Sequence, residues 1–243
     1  MNNLSQVLIF LCLAWIGQSC IVYHPPTADI PLISKKGEAK IDAGLALGAW
    51  VNDPRTSSVI NTSVNATISY GLTRAVALQT FGTLGPDRFY LQGAVGHYRN
   101  LVPNRVLEIY MGAGSGRGRA LHYRWFSSST ILLGEYQTYF TQVNYGIINN
   151  KRPLREYGFG IKTGLLHSTL TSDGFYADHD SERIFSDNSF LLEPNLFMKL
   201  GGKRVTFNLK LAGCWMYKFT NQTRYLPYSY VNLGLSLNYR LGK

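Results

Sequence analysis

The stretch 230-YVNLGLSLNYRLGK-243 decides the fold. From Val231 to Leu241 every odd position is Val, Leu or Tyr, and every even one is Asn, Gly, Ser or Arg. Alternation this strict predicts a β-strand with one apolar and one polar face. The open question is which solvent each face meets. In a soluble barrel the leucines point inward; in an outer membrane they point outward, into lipid.

The same rhythm runs through most of the chain. In 39-AKIDAGLALGAW-50, Ile41, Ala43, Leu45 and Leu47 oppose Lys40, Asp42, Gly44 and Gly48. In 58-SVINTSVNATISYGL-72, Ile60, Val64, Ala66, Ile68 and Tyr70 oppose Asn61, Ser63, Asn65, Thr67 and Ser69. In 204-RVTFNLKLAGCWM-216, Val205, Phe207, Leu209, Leu211 and Trp215 oppose Thr206, Asn208 and Lys210. Comparable patterns fall near 75–83, 88–98, 105–115, 136–148, 156–166 and 189–201. About ten strands follow, most of them long enough to cross a bilayer at the usual tilt. Eight or twelve remain open at this point, because 117–135 is ambiguous.

Connection lengths choose between the two barrels. Leu72–Arg74, Asn100–Asn104, Asn149–Leu154 and Gly201–Lys203 are short; Gly116–Ser129, His167–Asn188 and Tyr217–Ser229 are long, although Leu84–Asp87 is short as well. Short turns at one end and long loops at the other mark an outer-membrane barrel. On the apolar faces, Tyr70, Tyr145, Tyr157 and Tyr239 fall near the short-turn end, and Phe89, Tyr139, Phe190 and Trp215 near the other. Two aromatic bands suit two membrane interfaces. The expected fold is an all-β, antiparallel transmembrane barrel of about ten strands over 37–243.

Composition agrees. Only 16% of the 243 residues are charged, against roughly 25–35% on soluble surfaces. The net charge of +10 raises the question of nucleic acid. The basic residues, however, do not gather on a helix, and no nucleic-acid motif is present. Nothing in the sequence implies a cofactor or a metal site.

At the N-terminus, LSQVLIFLCLAWIGQSC has an apolar run from Val7 to Ile16, too short to span as a helix and suited to an export signal over 1–19. Gly17-Gln18-Ser19-Cys20 resembles the lipobox of bacterial lipoproteins, in which the signal is cut before a cysteine that then carries lipid. Met1-Asn2-Asn3 departs from that pattern by supplying no Lys or Arg. No acidic run of the kind that marks surface export in some relatives follows Cys20. Cys214 would be left without a disulfide partner. IVYHPPTADIPLISKK, with Pro25, Pro26 and Pro31, reads as a tether over 20–36 between lipid and barrel.

The lipobox, the Pro-rich stretch leading into PLISKKGEAKIDAGLALG, SYGLTRAVALQTFG and FLLEPNLFMKLGGKRVTFNLKLAG together resemble outer-membrane β-barrel lipoproteins of the Bacteroides group. The resemblance spans most of the chain after Cys20 and implies architecture and location rather than an activity.

With apolar faces outward, the lumen would receive Lys40, Asp42, Glu108, Lys162, Glu193, Lys199, Lys210 and Arg240, with Trp50, Tyr90, Tyr110 and Phe197. Mixed signs allow pairing into a packed plug; five cations against three carboxylates allow, alternatively, a small anion-preferring channel. A basic rim at the short turns comprises Arg74, Arg99, Arg105, Lys151, Arg152, Arg155, Lys203 and Arg204. It suits anionic lipid headgroups or an acidic partner. Arg117, Arg119, Arg124 and Trp125 are expected in an extracellular loop able to meet lipopolysaccharide phosphates or a protein.

Two features bear on an enzyme reading. Asp178, His179 and Asp180 superficially resemble the acid–His pairs of omptin-like ten-stranded proteases, but a second acidic pair is not evident. His167-Ser168 would point to opposite faces of a strand. The function expected is therefore non-enzymatic: a structural or accessory subunit of an outer-membrane protein complex. Channel and hydrolase stand as the alternatives.

Overall fold

The computed structural model describes Tyr23 and residues 30–50, 59–124, 127–149, 153–173, 183–202, 204–219 and 228–241. The strands are β1 (Ala39–Trp50), β2 (Val59–Gly71), β3 (Val76–Gly85), β4 (Arg88–Val102), β5 (Arg105–Arg124), β6 (Ser127–Asn149), β7 (Leu154–Asp173), β8 (Arg183–Gly201), β9 (Val205–Gly213), β10 (Trp215–Lys218) and β11 (Val231–Leu241). From β1 to β9 neighbours in sequence pair antiparallel, and β11 lies between β9 and β1, with Leu45 opposite Leu235. β9 and β10 share one position beside β8, interrupted at Cys214. The barrel is closed and has ten strands.

The interruption has a local cause. Pro194 of β8 faces this point of the ninth strand and has no N–H to give to the ladder. The Cys214 N–H donates instead to the Tyr230 carbonyl at 2.9 Å, on the far side.

Alternation now has a direction. On β11, Val231, Leu233, Leu235, Leu237 and Tyr239 are exposed, while Asn232, Gly234, Ser236 and Asn238 are buried. The leucines face outward. The same holds for Ile41 and Leu45 on β1, Val64 and Ile68 on β2, and Phe207, Leu209 and Leu211 on β9. Aromatics bracket this apolar belt as expected: Tyr70, Tyr157 and Tyr239 are exposed toward the short-turn end, and Phe89, Tyr139, Phe190 and Trp215 toward the other.

Two expected loops are largely strand. β5 and β6 stay paired from Arg105↔Ile147 up to Arg124↔Ser127, and β7 and β8 up to Ser172↔Arg183. These strands run to 23 residues, where about 9–11 suffice to cross a bilayer, so this wall rises beyond the belt at the long-loop end. The inward glycines at 116 and 118 hid the continuation of the alternation past 115, because glycine carries no hydrophobic signature.

A charge placed on the belt tests the orientation. Leu235→Arg, near mid-belt, is expected to cost about 2–4 kcal/mol, read from denaturant unfolding in lipid vesicles.

Candidate functional site

The period of two sends every second side chain of each strand inward. Lys40, Asp42, Glu108, Lys162, Glu193, Lys199 and Lys210 are all buried in the lumen, and Arg240 is half-buried at its short-turn mouth. Tyr90, Tyr110 and Phe197 are inward as well. An unpaired charge in such a place is costly, and the charges are arranged in clusters.

At the mouth, Lys40 Nζ lies 3.6 Å from both Glu38 and Glu156. Arg240 contacts the Glu156 carboxylate, and its Nε is 3.4 Å from Glu38. Between β1, β9 and β11, Asp42 accepts from Lys210 at 2.6 Å, Ser236 at 2.8 Å and Asn208 at 3.1 Å. Higher up, Lys162 is 3.4 Å from Glu193, donates to Gln92 at 3.1 Å, and sits 4.5 Å above the Phe140 ring.

The lumen holds something the strand pattern does not supply. Residues 30–34, expected in a tether between lipid and barrel, lie inside the barrel with Ile30, Leu32 and Ile33 fully buried. The lumen's polar side chains bind the backbone of this segment. Lys199 donates to the Ile30 carbonyl at 2.8 Å and Lys40 to the Leu32 carbonyl at 3.1 Å. Glu108 accepts from the Ile33 N–H at 2.6 Å, and Glu38 from the Ser34 N–H at 2.8 Å. Asn100 donates to the Ser34 carbonyl at 2.9 Å.

The side chains of the segment fill two apolar pockets. Ile30 and Leu32 pack with Val106, Ile148, Leu154 and Phe197; Ile33 packs with Ala77, Tyr98 and Tyr110. Close approach needs missing side chains: a Cβ on Gly146 would meet Leu32 at 2.5 Å, and one on Gly160 would meet Ile30 at 2.8 Å. Leu32 is held at φ +50°, a conformation a leucine keeps only where its surroundings over-determine it. The correction to the expected tether has a plain cause. Three large aliphatics within four residues have no stable place in water.

In the upper lumen lies Tyr23, fully buried. Its hydroxyl donates to Glu193 at 2.5 Å. Its ring packs edge-on to Tyr136 at 5.1 Å and to Tyr90 at 6.4 Å. Its carbonyl accepts from the Ser229 N–H at 3.2 Å.

Sequence reasoning found the lumen charges but missed Glu38, Glu156, Asn100, Tyr23 and the inserted segment. Glu156 sits inward on β7 beside the outward Tyr157, so the alternation already contained it. Of the basic rim, Arg74, Arg99, Arg105, Arg155 and Arg204 are exposed at the short-turn end; Lys151, Arg152 and Lys203 lie outside the described residues. Arg117 and Arg119 are exposed on strand β5 rather than in a loop, opposite Glu135 and Leu133 of β6. His167 faces outward and bonds Asn188 at 2.8 Å, while Ser168 is buried inward, so the two form no dyad. Cys20, Trp125, Asp178, His179 and Asp180 lie outside the described residues, as do the side chains of Trp50 and Arg124.

No family model matches the chain, and no curated protein matches it either. Among solved structures it is similar to the outer membrane protease OmpT from Escherichia coli. The TM-score is 0.56 over 88% of this chain and 100% of that one, at 9% identity. That degree of likeness establishes the fold: an outer-membrane-type β-barrel.

Two measurements address the grip on the segment. Glu108→Ala leaves the buried Ile33 N–H and the Asn144 amide, which also donates to Glu108, without their acceptor. At about 1–3 kcal/mol for an unsatisfied buried group, the Ile33 amide should exchange at least several-fold faster in deuterated buffer.

Glu38 sets a pH dependence. Burial alone would raise its carboxyl, but Lys40, the Ser34 N–H and Arg240 together hold it below the usual value. Its contribution is therefore complete above the ordinary Glu range of about 4.3 and is lost as pH falls through the lowered value. Protection of the Ser34 amide should fall in acid, and Glu38→Gln should remove that dependence.

Proposed function

We propose that this chain is a non-enzymatic, plugged barrel lipoprotein of the outer membrane that serves as a structural or accessory subunit of a membrane protein complex. One observation carries the reading. Glu108, Lys40 and Lys199, the groups best placed to coordinate a solute or do chemistry in the lumen, are engaged with the backbone of the barrel's own residues 30–34. A lumen occupied in this way suits a scaffold better than a conduit.

The outer surfaces remain for binding. The exposed rim arginines suit anionic headgroups, at about 1 kcal/mol per cation. Arg117 and Arg119, above the aromatic band, suit lipopolysaccharide phosphates. A cavity of about 500 Å³ at the short-turn mouth, bordered by Ser34, Asn100, Asn104 and Arg240, has room for a side chain of a protein partner. Lipid attachment at Cys20 belongs to the same proposal, as does kinship with the Bacteroides-group barrel lipoproteins. Incorporation of a palmitate analogue, lost in Cys20→Ala, tests the lipid.

The deciding experiment pairs a gentle-detergent pulldown from outer membranes with planar-bilayer recording. Stoichiometric co-purifying proteins and a silent bilayer are expected. The triple variant Lys40→Met, Glu108→Ala, Lys199→Met, which releases the segment, should raise conductance. Steady current through the wild-type barrel would favour the small anion-preferring channel instead. A clean monomer with peptidase activity lost in His179→Ala would favour a hydrolase, the class to which OmpT belongs.

A further inference from the structure

Arg88, the first residue of β4, is a buried cation outside the charge clusters of the lumen. Lys40, Lys162 and Lys210 each lie against a carboxylate; Arg88 does not, among the described residues. It is 5% exposed and turned inward at the long-loop end, while its neighbour Phe89 faces outward. The β3–β4 register sets Gly85 opposite Arg88, and a Cβ on Gly85 would meet Arg88 Nε at 2.7 Å and Cγ at 2.9 Å. That missing side chain lets the arginine lie across β3 and reach β2, where Nη2 donates to the Thr62 carbonyl at 2.6 Å. Its Nε and Nη1 have no hydrogen-bond partner. Asp87 and Tyr136 are near enough to act on its charge, but neither bonds to it.

Two further polar side chains lie beside it in the same state. Thr83 is inward on β3, two residues before Gly85, and its Oγ1 is buried without a partner. Asn61 is inward on β2, next to Thr62, and neither its amide nitrogen nor its oxygen has a partner. Successive inward positions on a strand are about 7 Å apart, so one small molecule at the long-loop end of β2, β3 and β4 is within reach of all three. Buried polar atoms are hydrogen-bonded almost without exception, and an unpaired set calls for a ligand or ordered water. An arginine stays charged wherever it is placed, and a buried charge needs an opposite one.

We infer that Arg88, Asn61 and Thr83 form a binding site for a small solute bearing a carboxylate or phosphate group. The planar guanidinium matches the oxygens of either oxyanion. The Asn61 amide and the Thr83 hydroxyl donate to the remaining oxygens, and the Asn61 carbonyl accepts from a hydroxyl on the solute. Arg88 faces the lumen while Phe89 faces the bilayer, so the oxyanion comes from solution at the long-loop side rather than from a lipid headgroup. None of the three residues lines the pockets that hold residues 30–34. The site therefore does not depend on the scaffold reading; a structural barrel and a channel could each carry it.

The test is thermal unfolding of the full chain in detergent micelles, in chloride buffer and in buffers of equal ionic strength containing inorganic phosphate or acetate. A ligand that binds only the folded barrel raises the midpoint along a saturation curve. Exclusion of salt from the surface raises it without saturating, and equally in every variant. The wild-type midpoint is expected to rise saturably in phosphate, in acetate or in both, and the anion that acts names the class of solute. Arg88→Met should abolish the rise, whereas Arg74→Gln on the exposed rim should leave it intact. Asn61→Ala, which keeps the cation and guards against misfolding of the arginine variant, should raise the apparent Kd several-fold. No saturable rise in either anion, a rise shared with Arg88→Met, or an unchanged Kd in Asn61→Ala overturns the site.

Discussion

Lys40, Glu108 and Lys199 point into a space where charge is expensive. Ten strands enclose an interior just wide enough for side chains and one extended strand of backbone. Buried cations and carboxylates there must find partners or forfeit several kcal/mol each. Beside partners on the barrel itself, such as Glu156 for Lys40 and Asn144 for Glu108, they meet the peptide groups of residues 30–34, whose own N–H and C=O groups would otherwise be just as costly to bury. Barrel and segment satisfy each other. The apolar pockets around Ile30, Leu32 and Ile33 add the hydrophobic part of the attachment.

A likeness in fold at 9% identity carries no chemistry with it; activity has to come from particular side chains. Here the described lumenal charges face the protein's own backbone or one another, as with Asp42 and Lys210. Among the described residues, the arginine rim at one end and the tall β5–β8 wall at the other are exposed. On the function proposed above, both would meet lipid headgroups or partner proteins.

Much of this was legible in the residues. The alternation in Val231–Leu241 gave the strand, and the turn lengths with two aromatic bands gave the outward direction of its leucines, because only a membrane rewards such a belt. Strand parity likewise put all eight expected charges in the lumen. The limits of several strands were less legible: inward glycines on β5 blurred the period, and Pro194 left no sign of the break it imposes beside Cys214. The segment 30–34 was misjudged because three prolines nearby suggested a solvated spacer, although Ile30, Leu32 and Ile33 argued against one.

What the sequence by itself determined is therefore local and periodic: strand, face, and membrane rather than water outside. Those follow from side-chain spacing along one strand. Which polar groups meet across the lumen was decided only by closure of the barrel. Glu108 and Ile33 are 75 residues apart, and Tyr23 and Glu193 are 170. No periodicity in the chain encodes such pairs. They arise because ten tilted strands bring distant inward positions to one height, where a single extended segment can reach them all.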